Sequence, residues 1–232
     1  MLNGLAVIAD KQIKGQGRGQ NVWISPKGCA MTSFQIETSL SSSLGQSASL
    51  LQHLVALSVV QSLGDLLNLN LKWPNDIYYG KNVKMGGVVI FSSIFRDRVT
   101  FNIGLGFNLD NSKPTLSFND LLTREGLQKL SREEYFARVF NQLEAFMDLL
   151  DQGKIEEILQ IYHKLWLHQN QKVTLITEND NQTDEKTGTV KSIDQDGFLI
   201  VELDESLECV SVQPGNNSFD MMQGLILPKK NK

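Results

Sequence analysis

Two cysteines, three histidines and five prolines in 232 residues exclude several kinds of chemistry at the outset. Cys29 and Cys209 lie far apart and show no metal-ligand spacing, so neither a zinc site nor a disulfide scaffold is expected; both are read as reduced core cysteines. His53 has no cysteine or carboxylate at ligand spacing and reads as an exposed or core-satisfied side chain, leaving no metal site. Long apolar runs are missing as well. None approaches the roughly 20 residues a membrane span needs. A basic excess is also missing: with a net charge of -4 and a pI near 5.4, no broad positive field is available to neutralise nucleic-acid phosphates. The basic tail, Lys229 to Lys232, reads as a solvated end. The N-terminus shows neither a signal peptide nor an Arg-rich amphipathic leader, and a cytoplasmic location is expected, with a mitochondrial pool as a second possibility.

What is there is an ordinary globular composition, 41% hydrophobic and 21% charged, long enough for one large domain and a small second one. Leu5 to Ala9 is an apolar run of the kind found in a buried strand, feeding a loop from Asp10 to Gly19. Cys29 to Glu37, Leu69 to Trp73, Ile77 to Tyr79, Val83 to Phe91 and Arg98 to Phe107 read as strands, with Pro74 ending the second. Ser41 to Gln46 reads as a polar turn. Helical spacing runs from Ser47 to Leu63, ending at Gly64, and helices are expected over Asn119 to Leu130, from Ser131 to a break at Gly153, and over Ile155 to Leu167. After His168-Gln169-Asn170-Gln171 the period switches to alternation: Lys172 to Ile176, Thr187 to Ile193, Phe198 to Glu202, Glu208 to Val212 and Gly224 to Leu227 read as strands. Asp196-Gly197 is a hairpin signal, and the acidic run Glu178 to Glu185 reads as a loop.

The stretch that points to chemistry is Gly15-Gln16-Gly17-Arg18-Gly19-Gln20-Asn21-Val22-Trp23. Alternating glycines let a backbone approach an anion closely, and a guanidinium supplies a fork of donors for carboxylate or phosphate. By itself it reads as an ordinary mobile loop, since short glycine patterns match often by accident. The spacing is not G-x-G-x-x-G, and no Gly-Lys-Ser/Thr closes a P-loop. Three further motifs follow in order: Lys72-Trp73-Pro74-Asn75-Asp76, Lys84-Met85-Gly86-Gly87-Val88 and Gly104-Leu105-Gly106-Phe107-Asn108. Alone, Asn75-Asp76 could be an Asx turn and Lys84 a surface lysine. Gly86-Gly87 within a strand suggests close approach to something flat.

Taken together, the four ordered motifs resemble the catalytic domain of biotin protein ligases. The flanking Asn21-Val22-Trp23, Pro114-Thr115 and Asn217-Ser218-Phe219-Asp220 are similar to the eukaryotic holocarboxylase synthetases. The resemblance implies an α+β fold with a mixed β-sheet packed by helices over residues 1–169, followed by a small SH3-like β-barrel over 170–232. It implies that biotin and MgATP form biotinyl-5'-AMP, and that a lysine on a carboxylase biotin-acceptor domain then takes the biotinyl group. Gln12, Gly15, Gly17 and Arg18 match the ligand loop, within which Gln16 is a further binding candidate, and Lys84 matches the catalytic lysine. Gly86 and Gly87 would floor the biotin slot, with Trp23 and Asn108 near the adenine end. Lys72 and Asn75 would flank Asp76, the candidate to orient or deprotonate the attacking amine. Two departures stand out: Gln16 replaces a usual arginine, and an upstream Ser/Thr-rich biotin-contacting segment is absent, as in a truncated chain. Two rivals remain, a lipoate ligase or octanoyl transferase and a non-catalytic biotin- or acceptor-binding fragment. No helix-turn-helix pattern precedes the domain, so a repressor role is not expected.

Overall fold

A computed structural model describes residues 4–19, 21–111, 113, 115–179, 182–214 and 217–228. Gln20, Pro114 and the basic tail Lys229 to Lys232 therefore lie outside the described residues. Six strands, β1 (Ala6–Ala9), β4 (Ala30–Ser39), β5 (Leu69–Lys72), β6 (Asp76–Tyr79), β7 (Val83–Phe95) and β8 (Arg98–Phe107), form one sheet in the order β1-β4-β8-β7-β6-β5. Adjacent strands in it pair antiparallel. Alternation along β8 sends Val99, Phe101, Ile103, Leu105 and Phe107 into the core and Asn102, Gly104 and Gly106 to the opposite face. Helices cover the first face only. Helix α2 (Leu51–Leu63), preceded by the short α1 (Ser43–Gln46), packs on β5, β6 and β7 and is itself covered by α4 (Arg132–Asp151). Two-sided cover explains why α2 is apolar around most of its circumference. Helices α3 (Phe118–Arg124) and α5 (Ile155–Leu165) complete the layer.

The C-terminal strands β9 (Lys172–Asn179), β10 (Gln182–Ile193), β11 (Leu199–Leu203), β12 (Cys209–Val212), β13 (Asn217–Asp220) and β14 (Leu225–Pro228) form a second six-stranded sheet, ordered β12-β11-β10-β9-β14-β13.

Several expectations are corrected. Leu5 to Ala9 is an exposed edge strand and not a buried one, with Val7 58% and Ile8 46% exposed; a short apolar run carries no signal of which side is covered. The stretch expected as a loop is so only in part: β2 (Gln12–Gln16) and β3 (Val22–Ser25) pair as a ribbon with Ile13, Val22 and Ile24 turned to solvent, and Gly17, Arg18 and Gly19 lie in the connection that leaves β2. The helix expected to reach Leu130 ends at Arg124, where Gly126 takes φ +72°. The acidic run belongs to the β9–β10 hairpin, since register pairs Gln182 to Glu185 with Ile176 to Asn179. Strand β13 was not foreseen. Cys209 is exposed, and only Cys29 is buried.

Candidate active site

The uncovered face of the large sheet carries the site, and strand register assembles it. Residues paired across a ladder share a face, so one rung runs Ala9–Met31–Gly106–Gly87–Asp76–Lys72 across all six strands. The next rung toward the β7–β8 turn is Val7–Ser33–Gly104–Val89. All ten residues line a cavity of about 590 Å³, together with Gln12, Gln16, Gly17, Arg18, Trp23 and Lys84, among others. A third rung, Gln35–Asn102–Phe91, lines an adjoining cavity of about 300 Å³. Glycines at three positions of the first two rungs make this a trench.

Lys84 reaches the trench through an irregularity. Between Ile77 and Tyr78 the β6–β7 register slips, so that Tyr78 pairs with Lys84 and Met85 is the extra residue. In unbroken alternation Met85 would share the face of Gly87. The bulge instead buries Met85 in the core and turns Lys84 outward. Asn108 holds this distortion, its backbone N–H donating to Met85 O at 2.7 Å and its amide to Lys84 O at 3.3 Å.

Four charges then meet. Lys84 Nζ lies 2.7 Å from Asp76 Oδ1, and Lys72 Nζ lies 3.9 Å from Asp76 Oδ2. Burial pulls the Lys72 ammonium below its ordinary pKa, and Lys84 and Arg18 add to this against Asp76 and Asp220. Burial likewise lowers Arg18, opposed by Asp76. One Arg18 guanidinium nitrogen, Nη2, is buried with no hydrogen-bond partner among the described residues. A buried donor on a cation is costly unless an acceptor reaches it. Three cations around one carboxylate thus form a site with an excess of positive charge, suited to anions.

The Trp23 indole covers this rung: a Cβ on Gly106 would fall 2.6 Å from Trp23 Nε1, and Lys84 Nζ stands 5.9 Å from the ring centre. The ribbon needs Gly15 for its own pairing, because a Cβ there would lie 2.3 Å from Trp23 O. Gln12 Oε1 accepts from Ser25 Oγ at 3.0 Å. Asn75 lines the cavity, but its amide donates to Val88 O at 2.7 Å and its carbonyl accepts from Val88 N–H, pinning the turn before Asp76 to β7.

Sequence reading thus finds Gln12, Gln16, Gly17, Arg18, Trp23, Lys72, Asn75, Asp76, Lys84 and Gly87 gathered in one place. Gly15, Gly86 and Asn108 do not line the cavity; each shapes a neighbour that does. Val7, Met31, Ser33 and Val89 escaped notice, though period-2 register was the available signal, and Gly104 was read as part of a strand motif but not as a site residue. Phe219 was read within a flanking motif and not as a site residue. It reaches the cavity from the C-terminal sheet, across a sequence distance no local pattern bridges. Among the described residues no group of three or more His, Cys, Asp or Glu stands together.

The model of the biotin/lipoate A/B protein ligase family matches residues 2–108, and that of the biotin protein ligase C-terminal domain matches residues 168–221. The chain belongs to the biotin protein ligase family. It is 38% identical to the human biotin-protein ligase over 98% of its own length, and spans 32% of that relative. With Arabidopsis thaliana biotin-protein ligases 1 (chloroplastic) and 2 it shares 32% and 31% identity, spanning 63% and 70% of their lengths. In fold it resembles the Aquifex aeolicus biotin protein ligase solved with biotin and ATP (TM-score 0.67, 21% identity, 90% of this chain and 87% of that one). The Leishmania major biotin protein ligase solved with biotinyl-5-AMP is a further likeness (TM-score 0.54, 21% identity, 91% and 89%).

Proposed function

We propose that the chain is an ATP-dependent, AMP-forming biotin protein ligase, and the observation that carries this is the cluster of Arg18, Lys72 and Lys84 around Asp76 at the head of a glycine-floored trench. Joining a carboxylate to ATP brings two anions together. At ~4 Å their repulsion is about 4 kcal/mol at the effective dielectric of a partly buried site. Cations fixed in advance offset it without reorganising during the reaction.

A biotin carboxylate oxygen placed beside Lys84 attacks the α-phosphorus of ATP, and pyrophosphate leaves. Lys84 and Arg18 hold the carboxylate and phosphate oxygens, while the β2–β3 ribbon and Trp23 keep water from the mixed anhydride. The amine of an acceptor lysine then attacks the acyl carbon and AMP leaves. Asp76 orients that amine and takes its proton once Lys84 has turned to the phosphate. The proposed acceptor is a biotin-acceptor domain of a biotin-dependent carboxylase. Asp76 is the carboxylate of the site and is already held by two lysines, so these residues form no cage for magnesium; the ion would ride on phosphate oxygens.

The test is incubation with biotin, MgATP and an acceptor domain, scored for covalent biotin. Arg18→Ala and Lys84→Ala should nearly abolish biotin-dependent pyrophosphate exchange while leaving the domain folded. Exchange at the parent rate in either variant would refute those roles. Transfer of lipoate in place of biotin, or biotin binding with no transfer, would replace this reading with one of its rivals.

A further inference from the structure

Among the described residues that line the main cavity, Phe219 alone comes from the C-terminal sheet. Strand β13 carries it, paired with Ile226 of β14. The reaction set out above gives it no task. Its ring is 7% exposed and stands 6.4 Å from that of Trp73 and 4.7 Å from that of His168. Lys72, Trp73, Pro74, Asn75 and Asp76 all line the same cavity, so the ring belongs to the wall at the end where Asp76 sits. The turn that follows it is pinned. Asp220 Oδ1 accepts from the backbone N–H groups of Met222 and Gln223 at 3.0 and 3.1 Å, and the Gln171 amide donates to Met221 O at 2.8 Å. The ring is thus a fixed apolar surface beside a charged cluster.

Such a surface suits one reactant of the three. The carboxylate and the phosphates are anions that Lys84 and Arg18 hold, and an apolar ring offers them nothing. The attacking amine differs, because it sits at the end of a methylene stem that gains by leaving water while its head stays on a polar group. We propose that Phe219 is a specificity-determining residue for that amine: its ring, beside Trp73, is the wall along which the stem lies so that the nitrogen arrives at Asp76. This rests on the function proposed above and deepens it on the acceptor side. The neutral amine attacks the acyl carbon, the C–N bond forms as the C–O bond to AMP breaks, AMP keeps the electron pair, and Asp76 takes the proton lost from nitrogen. An amine too short to reach the ring forgoes the contact.

The experiment gives the full chain biotin and MgATP and captures the activated acid with methylamine, ethylamine, propylamine or butylamine, which are of nearly equal basicity. Butylamine is the lysine side chain without its backbone. The alkyl amides are quantified by mass spectrometry, and each rate is divided by that for methylamine on the same sample, which cancels any loss in the activation step. The parent should gain about fourfold for each added methylene, as expected for one CH₂ group removed from water. Phe219→Ala should flatten the series, and Phe219→Leu, which keeps an apolar side chain in the packing, should give an intermediate slope. A parent-like slope in Phe219→Ala, or no slope in the parent, would overturn this proposal alone. A uniform loss for every amine with the slope kept would assign the ring to the fold, and a kept slope with a raised KM for ATP would assign it to the nucleotide; either overturns it too. Absence of biotin-dependent pyrophosphate exchange in the parent would bring down the functional reading and this proposal together.

Discussion

The indole N–H of Trp73 donates to the carbonyl of Gly197 at 2.9 Å, tying the turn that carries Asp76 to the β10–β11 hairpin of the C-terminal sheet. The Trp73 backbone N–H donates to His168 Nε2 at 3.0 Å, and the Phe219 ring lies 6.4 Å from that of Trp73 and 4.7 Å from that of His168. Trp73 is fully buried and stands three residues before Asp76. The second sheet is thus part of the frame that sets where the carboxylate points.

Gly197→Ala tests this fastening. Gly197 has φ +76°, and a Cβ there would lie 2.4 Å from His53 Cδ2. Left-handed strain costs about 1–2 kcal/mol and forced repacking about 1–3. A loss of about 2–4 kcal/mol is expected in urea unfolding, accompanied by slower biotin transfer as the turn loosens. Unchanged stability would mean that the hairpin yields freely.

Acid should weaken the same junction. Because His168 Nε2 accepts from Trp73, its Nδ1 carries the proton and faces Gln171 Oε1 at 3.0 Å. Burial pushes the imidazole from 6.5 down to about 4, against the Gln171 hydrogen bond and with help from Lys72. His53, buried beneath Gly197 with Nδ1 3.2 Å from Tyr162 Oη, is pushed down to about 3, again first by burial. Both folded values lie below the unfolded one, so the unfolded chain binds protons first. The stability from neutral imidazoles is present above 6.5 and is lost as pH falls toward 4 and 3. At pH 5 the loss is about 2 kcal/mol for each. Urea midpoints at pH 7 and pH 5 measure it, and coincident midpoints would refute both shifts.

Removing the carboxylate at the centre of the cluster separates two roles. Asp76→Asn leaves Arg18, Lys72 and Lys84 without their shared counter-charge while keeping the shape of the side chain. Inorganic pyrophosphate should then bind about tenfold more tightly at low salt, as expected for roughly 1.4 kcal/mol of relieved competition in a partly screened site. Transfer to the acceptor lysine should fall by about 10²-fold or more, the usual contribution of a positioned base. Pyrophosphate binding that weakens would show Asp76 to be an organiser of the lysines more than their competitor.

What could be read from the chain follows the range of its signals. Strand β8 was legible from Arg98 to Phe107 because alternation along its own length decides which residues are covered. The direction of Lys84 was not, because the bulge at Met85 depends on how β6 meets β7. Asn108, expected near the adenine end, holds that bulge, a role that shows only when three strands are seen together. Phe219 reaches the site from the second sheet while His168 and Gly197 brace Trp73 beside it, and contacts of that kind leave no local period. Cys209 was expected in the core because free cysteine usually is; strand β12, at the edge of its sheet, exposes it.

Gln16 stands where the resembled family usually carries arginine. Gln16 pairs with Val22 in the ribbon, is exposed, and lines both cavities. Among the described residues, Arg18 is the cation that the ribbon brings to the main cavity, with Lys84 and Lys72 supplied by the sheet. Gln16→Arg adds a second fork of donors for the phosphate of the activated intermediate. An exposed pair of this kind contributes about 0.2–1 kcal/mol. The intermediate should therefore escape about two- to fivefold more slowly, read as reduced labelling of a bystander protein's lysines when no acceptor domain is present. Because the position is open to solvent, salt should erase the difference: at 1 M the screening length is about 3 Å. An effect that survives high salt would mean that the new side chain acts by closing the ribbon and not by its charge.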